Sequence, residues 1–190
     1  MDFDDNGSID PIFCYFIQGK SYPYAGRDEL LEQMSVMRTR FPDYKSYSNA
    51  RLTDIFTPKE LKDARKLFID RMESTVWVSS VSGKYLEKPL PVQAQFAPIY
   101  AISISDFNKD GKMDLLLGGN MSHCRVKVGI NQSNKGQLFI GDGAGSFKYV
   151  PQLVSGLDIE GDIRSFCLFG KLLLAGMNGK MGKAYKLNSK

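Results

Sequence analysis

Asp106-Phe107-Asn108-Lys109-Asp110-Gly111-Lys112-Met113-Asp114 runs without a break into the apolar triplet Leu115-Leu116-Leu117 and the turn Gly118-Gly119-Asn120. Oxygen-bearing side chains stand at loop positions 1, 3, 5 and 9, with glycine at position 6. Hard cations take such an oxygen cage, with glycine making the sharp turn and a main-chain carbonyl at position 7, here that of Lys112. The stretch reads as a calcium loop at the start of a strand.

The N-terminus repeats the pattern. Asp2-Phe3-Asp4-Asp5-Asn6-Gly7-Ser8-Ile9-Asp10 precedes the apolar run Ile12-Phe13-Cys14-Tyr15-Phe16-Ile17, and even the Phe after the first Asp recurs. At average residue usage, one chance match to five constrained positions in a chain of this length is expected at about one in a thousand or less. Two matches argue against accident. An EF-hand requires a bidentate Glu at loop position 12 and a helix on each side; position 12 is Phe13 in one loop and Leu117 in the other, and strand-like sequence follows both. A turn that holds no ion is the plain alternative, but three carboxylates and an amide within nine residues repel one another unless a cation sits among them. The expected ligands are the side chains of Asp2, Asp4, Asn6, Asp10, Asp106, Asn108, Asp110 and Asp114, and the carbonyls of Ser8 and Lys112, around Ca2+.

At these residues the chain resembles the FG-GAP/VCBS repeat family, the calcium-loop β-propeller blades of integrin α chains and of large bacterial surface or secreted proteins. Ile99 to Asn120 is similar to the blade core, and Gln137 to Phe147 resembles the glycine-rich outer hairpin. Of the family's Phe-Gly signature only Phe169-Gly170 is present. Gln18 to Leu31 looks like bacterial members, some of which carry an ASPIC/UnbV tail. The resemblance implies a non-enzymatic, calcium-stabilised propeller segment of an extracellular, cell-surface or periplasmic protein that binds a protein or glycan. Extracellular calcium modules bind at roughly 0.1–1 mM, so a calcium-rich exterior would keep such loops filled.

The 190 residues are 43% hydrophobic and carry a net charge of +4. That balance suits an ordinary globular chain with a sizeable core. No apolar run is long enough to span a membrane, and no basic segment followed by an apolar core marks a signal peptide. Met1 abuts the first loop ligand, so an export signal is expected upstream of this sequence. Positive charge gathers beyond Asp162, at Arg164, Lys171, Lys180, Lys183, Lys186 and Lys190, without any nucleic-acid-binding motif, so a solvated segment is expected and no nucleic acid. Cys14, Cys124 and Cys167 are too sparse for a disulfide framework or a zinc site and read as buried free thiols.

Along the chain, Pro11 to Ile17 is too continuously apolar for a one-faced strand and fits an interior strand of a blade, covered on both sides. Gly19-Lys20-Ser21 is no phosphate loop, because Cys14 stands where the first glycine belongs. From 26 to 74 the texture is helical. Leu30, Leu31, Met34, Met37 and Phe41 share a helix face ended by Phe41-Pro42, and Tyr47 to Phe56 suits a short helix. Thr57, Pro58 and Glu60 write a capping box, with Leu61, Ala64, Phe68 and Met72 on one face of a second long helix. The domain reading is a helical insertion at 26–74 within a propeller portion at 1–25 and 75–190.

Thr75 to Val81 and Lys84 to Leu86 form a hairpin, Val92 to Phe96 a short strand, and Ile99 to Ile104 a strand feeding the central loop. Cys124 to Val128 alternates like a strand with one wet face. Gly141-Asp142-Gly143-Ala144-Gly145 is a hairpin turn; strand sequence, not a helix, follows it. Ile163 to Phe169 and Leu172 to Asn178 echo Ile99 to Ile104 and Leu115 to Asn120, with Gly170-Lys171 where the loop would be.

The expected fold is mainly β with an α-helical insertion, in about three four-stranded antiparallel blades, a partial propeller. Rings close with four to eight blades, so either a longer propeller chain or a homo-oligomer is implied. A fragment of a propeller hydrolase or lyase acting on polysaccharides or esters is the alternative, with Asp158 and Asp162 as the carboxylate pair to examine. The single histidine, His123, reads as a surface or turn residue.

Overall fold

Gln18 and Gly19 both take positive φ, 49° and 75°, the backbone of a two-residue hairpin turn. They close strand β1 (Cys14–Ile17) onto strand β2 (Lys20–Pro23), pairing Ile17 with Lys20 and Cys14 with Pro23. The expected interior blade strand is therefore corrected. The turn returns the chain after four residues, and Phe13, Tyr15, Phe16 and Ile17 are exposed rather than covered on both faces.

The computed structural model describes residues 1–187 and falls into two compact units, Met1–Asp70 and the part from Arg71 onward. It is mainly β. Among the described residues eleven strands lie in small antiparallel sheets, none of them closed, with five short α-helices.

In the first unit α1 (Arg27–Gln33) starts at Gly26, whose N–H donates to Glu29 Oε2 at 2.8 Å. The expected helix through Phe41 breaks at Met34, which leaves helical geometry, and resumes as a 3-10 turn at Ser35–Arg38. The buried face survives the break: Leu30, Leu31, Met34, Met37 and Phe41 join Ala50, Ile55 and Phe56 in one core, against which Phe3 and Ile12 pack. Two short helices, α2 (Tyr44–Tyr47) and α3 (Leu52–Ile55), replace the one expected between Tyr47 and Phe56.

The capping box forms at α4 (Pro58–Lys62), with Thr57 Oγ1 accepting from the Glu60 N–H and Glu60 Oε2 accepting from the Thr57 N–H. The long helix does not. It ends at Lys62, and Leu67, Phe68, Ile69 and Met72 are largely exposed. A helix of this length depends on burying its apolar face, and of that face Leu61 packs against the core while Phe68 and Met72 are left exposed.

In the second unit β3 (Thr75–Ser79) and β4 (Tyr85–Pro89) pair as expected. Val92–Gln95 is a 3-10 turn instead of a strand; Pro91 leads into it and its carbonyl accepts from the buried Ala94 N–H at 2.9 Å. Next comes a four-stranded antiparallel meander, β5 (Ile99–Ser105), β6 (Asp114–Gly119), β7 (Gln137–Gly141) and β8 (Phe147–Val150), in spatial order 5-6-7-8. The strand expected at Cys124–Val128 is a turn in the β6–β7 connection, closed by Val128 N–H to Arg125 O. Among the described residues no strand lies alongside to pair with it; the connection holds a single bridge, Met121 to Asn131. A one-turn helix, α5 (Gln152–Ser155), leads to a three-stranded sheet of β9 (Asp162–Phe169), β10 (Leu172–Asn178) and β11 (Lys183–Lys186), with β10 in the middle.

Alternation decides how these sheets use their faces. Every residue of β6 is buried. Leu115 and Leu117 join Phe139, Leu90 and Ala94 on one face, with Val76 of β3 packed against them. Leu116 on the other face joins Ala101, Ile163, Leu173 and Ala175. The unbroken Leu-Leu-Leu run is thus the signature of a strand covered on both sides. Gly118 shares the face of Leu116, and a Cβ there would lie 2.6 Å from Ile163 Cγ2, so glycine permits the approach of β9. Cys14, Cys124 and Cys167 are free; Cys167 is exposed and Cys14 and Cys124 half-buried, which corrects the expectation of fully buried thiols.

Candidate metal centres

The two acidic loops fold alike, position by position. At position 1, Asp2 Oδ2 accepts from Gly7 N–H at 2.8 Å and Asp106 Oδ2 from Gly111 N–H at 2.8 Å. Their Oδ1 atoms accept from the position-5 amides of Asn6 (3.2 Å) and Asp110 (3.0 Å). At position 5, Asn6 Oδ1 accepts from Ser8 N–H (2.8 Å) and Asp110 Oδ1 from Lys112 N–H (2.9 Å). At position 9, Asp10 Oδ2 and Asp114 Oδ2 accept from the position-2 amides of Phe3 (2.8 Å) and Phe107 (2.9 Å).

The backbone agrees. Positions 4 and 6 are left-handed in both loops, Asp5 at 56° and Gly7 at 87°, Lys109 at 62° and Gly111 at 85°. Two residues of positive φ so close together wind the chain into a concave turn, and glycine removes the steric cost at the second. Ser8 and Lys112, from which a main-chain carbonyl ligand is expected, are each fixed through their own N–H.

In the first loop the carboxylates of Asp2, Asp4 and Asp10 each offer an oxygen within 4.8 Å of the others. Two ligands about 2.4 Å from a calcium ion, on opposite sides of it, are separated by about that distance. Asp4 Oδ1 is buried and has no hydrogen-bond partner. A buried acceptor without a donor is costly, and a cation beside it would offset that cost. The donor set is all oxygen, which selects a hard cation over zinc or copper. The residues therefore fit calcium, held by Asp2, Asp4, Asn6 and Asp10 with the Ser8 carbonyl; the ion would neutralise the clustered charge and tie the loop's ends together.

In the second loop Asn108 stands at the position of Asp4 and donates from Nδ2 to Asp110 Oδ2 at 3.0 Å. That amide, followed by the Lys112 N–H, holds the Asp110 carboxyl below its ordinary value. At Asp2, desolvation pushes upward, but the amides of Gly7, Asn6, Asp4 and Asp5 together outweigh it and the carboxyl falls below its ordinary value. Both acids stay ionised at neutral pH, as a cation ligand must.

The position-9 acids are the buried ones, Asp10 at 4% exposure and Asp114 at 0%, and their supports differ. Asp114 Oδ1 accepts from the Gly141 N–H of β7 at 3.0 Å. Asp10 Oδ1 faces Gln33 Nε2 of α1 at 3.4 Å. Neither supporting residue was visible from loop spacing alone; Gly141 had a trace in the glycine-rich hairpin, whereas Gln33 had none.

Ser122, His123 and Asp162 also meet. Ser122 Oγ donates to Asp162 Oδ2 at 2.9 Å and lies 3.3 Å from His123 Nδ1, while His123 Nδ1 is 4.0 Å from the carboxylate. In a nucleophilic triad the imidazole lies between acid and hydroxyl and takes the hydroxyl proton. Here the hydroxyl gives its hydrogen bond to the acid itself, and the imidazole stands 82% exposed beside both. Asp162 also accepts from the Ser122 N–H and from Arg164, so it pins the β6–β7 connection to β9. Asp158 takes Lys135 as its partner at 3.1 Å and is exposed, so Asp158 and Asp162 sit in unlike surroundings.

No family model, curated protein or solved structure matches the chain. No helix among the described residues is long and apolar enough to cross a membrane.

Proposed function

We propose that the chain is a calcium-stabilised, non-enzymatic β-propeller segment of the FG-GAP/VCBS type, from an extracellular or cell-envelope protein that binds a protein or glycan. One observation carries the reading. Two loops far apart in sequence close the same hydrogen bonds from positions 1, 5 and 9 and take left-handed φ at positions 4 and 6. The shared winding gives both loops the same places for oxygen ligands, and in the first it gathers three carboxylates that repel one another unless a cation lies among them.

The strand arrangement of the second unit supports the blade part. A meander in order 5-6-7-8 with the calcium loop between its first two strands is covered by one hairpin on one face and by the next sheet on the other. A propeller repeats such units radially. The calcium role is structural, and ligand binding belongs to the assembled surface.

Calcium titration followed by thermal melting, with and without chelator, tests the reading. At 10 mM calcium and dissociation constants of about 0.1–1 mM, each filled site adds roughly 1.4–2.7 kcal/mol. A melting curve indifferent to calcium and chelator overturns the metal; magnesium acting as well as calcium overturns its identity.

A further inference from the structure

Resting on the calcium reading, we propose that Gln33 is a positioning residue of the first cation site and that the helical core of residues 1–70 serves as that site's wall, so that cation and helices order together. In the second loop the buried position-9 acid is oriented by a main-chain donor of its own sheet, Gly141 N–H at 3.0 Å. In the first loop the same oxygen of Asp10 faces a side chain, Gln33 Nε2 at 3.4 Å, whose amide also reaches Pro11 O at 3.4 Å. Gln33 is the last residue of α1, followed directly by the fully buried Met34. The loop is bound to the helices from its other side as well. Phe3, between ligands Asp2 and Asp4, stacks on Phe56 with ring centroids 4.0 Å apart, and Ile12, just past Asp10, packs against the same core.

An ion drawing Asp2, Asp4 and Asp10 together fixes Phe3 and Asp10, and these in turn hold Phe56 and Gln33. Linkage makes the effect mutual: whatever orders the helices raises cation affinity, and the cation stabilises the helices. At the second site Phe107 likewise packs against its own sheet core, but the donor facing the buried acid is backbone, so no side chain equivalent to Gln33 takes part.

The test is calorimetric calcium titration of the whole chain together with europium(III) luminescence, in which each bound ion gives its own excitation line. Outer-shell partners of metal ligands alter affinity by about 10–100-fold, and Gln33→Met, which keeps length but removes the donor, is expected to weaken one site about tenfold. It should shift one europium line and leave the other in place. Gln33 is only half-buried, so the variant is expected to fold. Phe56→Leu, which touches no ligand, is expected to weaken the same site while leaving its europium line unshifted. Two unchanged affinities in Gln33→Met overturn the positioning role and leave the calcium reading intact, and so does an equal loss at both sites. A wild-type chain that binds no calcium overturns both.

Discussion

The first loop and the second are one turn built into two different scaffolds. Loop Asp106–Asp114 joins two paired strands, β5 and β6, and its buried acid takes three main-chain donors, Phe107, Asn108 and Gly141. Loop Asp2–Asp10 has helices as its setting, and its buried acid takes one main-chain donor, Phe3, and one long side-chain contact. The loop itself is therefore set by its own nine residues, while its rigidity is set by what lies outside them. Backbone donors in a sheet are fixed by the ladder; a glutamine at a helix end must be held by packing.

The sharpest way to break that comparison is to remove the two equivalent acids. Asp114→Ala strands three N–H groups, the buried one of Gly141 and the part-buried ones of Phe107 and Asn108, so a loss of roughly 2–4 kcal/mol is expected from the second unit. Asp10→Ala strands one such group and is expected to cost about 1–3 kcal/mol. Denaturant titrations in chelator, where no ion contributes, check this ordering. Equal losses would mean that the two scaffolds support their loops alike.

A smaller effect sharpens the other half. Gly141 donates to Asp114, and a Cβ at this position would overlap the Met113 carbonyl oxygen and press on the Phe147 ring. Gly141→Ala must push the β7 strand away from the loop, at the cost of about 1–3 kcal/mol typical of overpacking. Calcium affinity should fall at one site only, and that site must be the one Gln33→Met leaves alone. If both variants weaken the same site, the two loops do not have separate supports.

What the sequence disclosed follows the same division. Residues 99–120 were legible because period-two alternation, a loop of fixed spacing and a continuous Leu run each report on neighbours that a sheet always supplies. The burial of Leu30, Leu31, Met34, Met37 and Phe41 was legible too, although the helix carrying them is interrupted. Propensity misled where packing was missing. Ala64 to Met72 has a helical pattern but no surface to cover it, and Cys124 to Val128 alternates but has no strand beside it. In Pro11 to Ile17 the apolar run promised cover on both faces, but the turn at Gln18-Gly19 turned it into a two-stranded hairpin. The supports of Asp10 and Asp114 were illegible for a simpler reason: they come from 23 and 27 residues away, and no local pattern encodes them.

The smallest expected effect separates the helical scaffold from the acidic loop it holds. Glu60 accepts from Arg40 Nη2 at 2.7 Å and closes the α4 capping box with Thr57, and these contacts, Arg40 first, bring its carboxyl down to about 2 from an ordinary 4.5. A group whose folded value is depressed adds stability above its unfolded value and loses it as pH falls through the folded one. The contribution of Glu60 is thus complete above pH 4.5 and disappears as pH drops toward 2. The pair is near the surface and screened by solvent, so Glu60→Gln is expected to cost only about 0.5–1 kcal/mol at pH 7, the usual worth of a helix cap. The cost should shrink steadily as pH falls toward 2 and vanish below it. Measured in chelator, Glu60→Gln removes one carboxylate's titration and leaves all the loop acids in place, so the difference between its acid unfolding curve and that of the wild type belongs to the contacts of Glu60 with Arg40 and Thr57. A difference that persists unchanged at pH 2 would show that Glu60 acts through packing rather than charge.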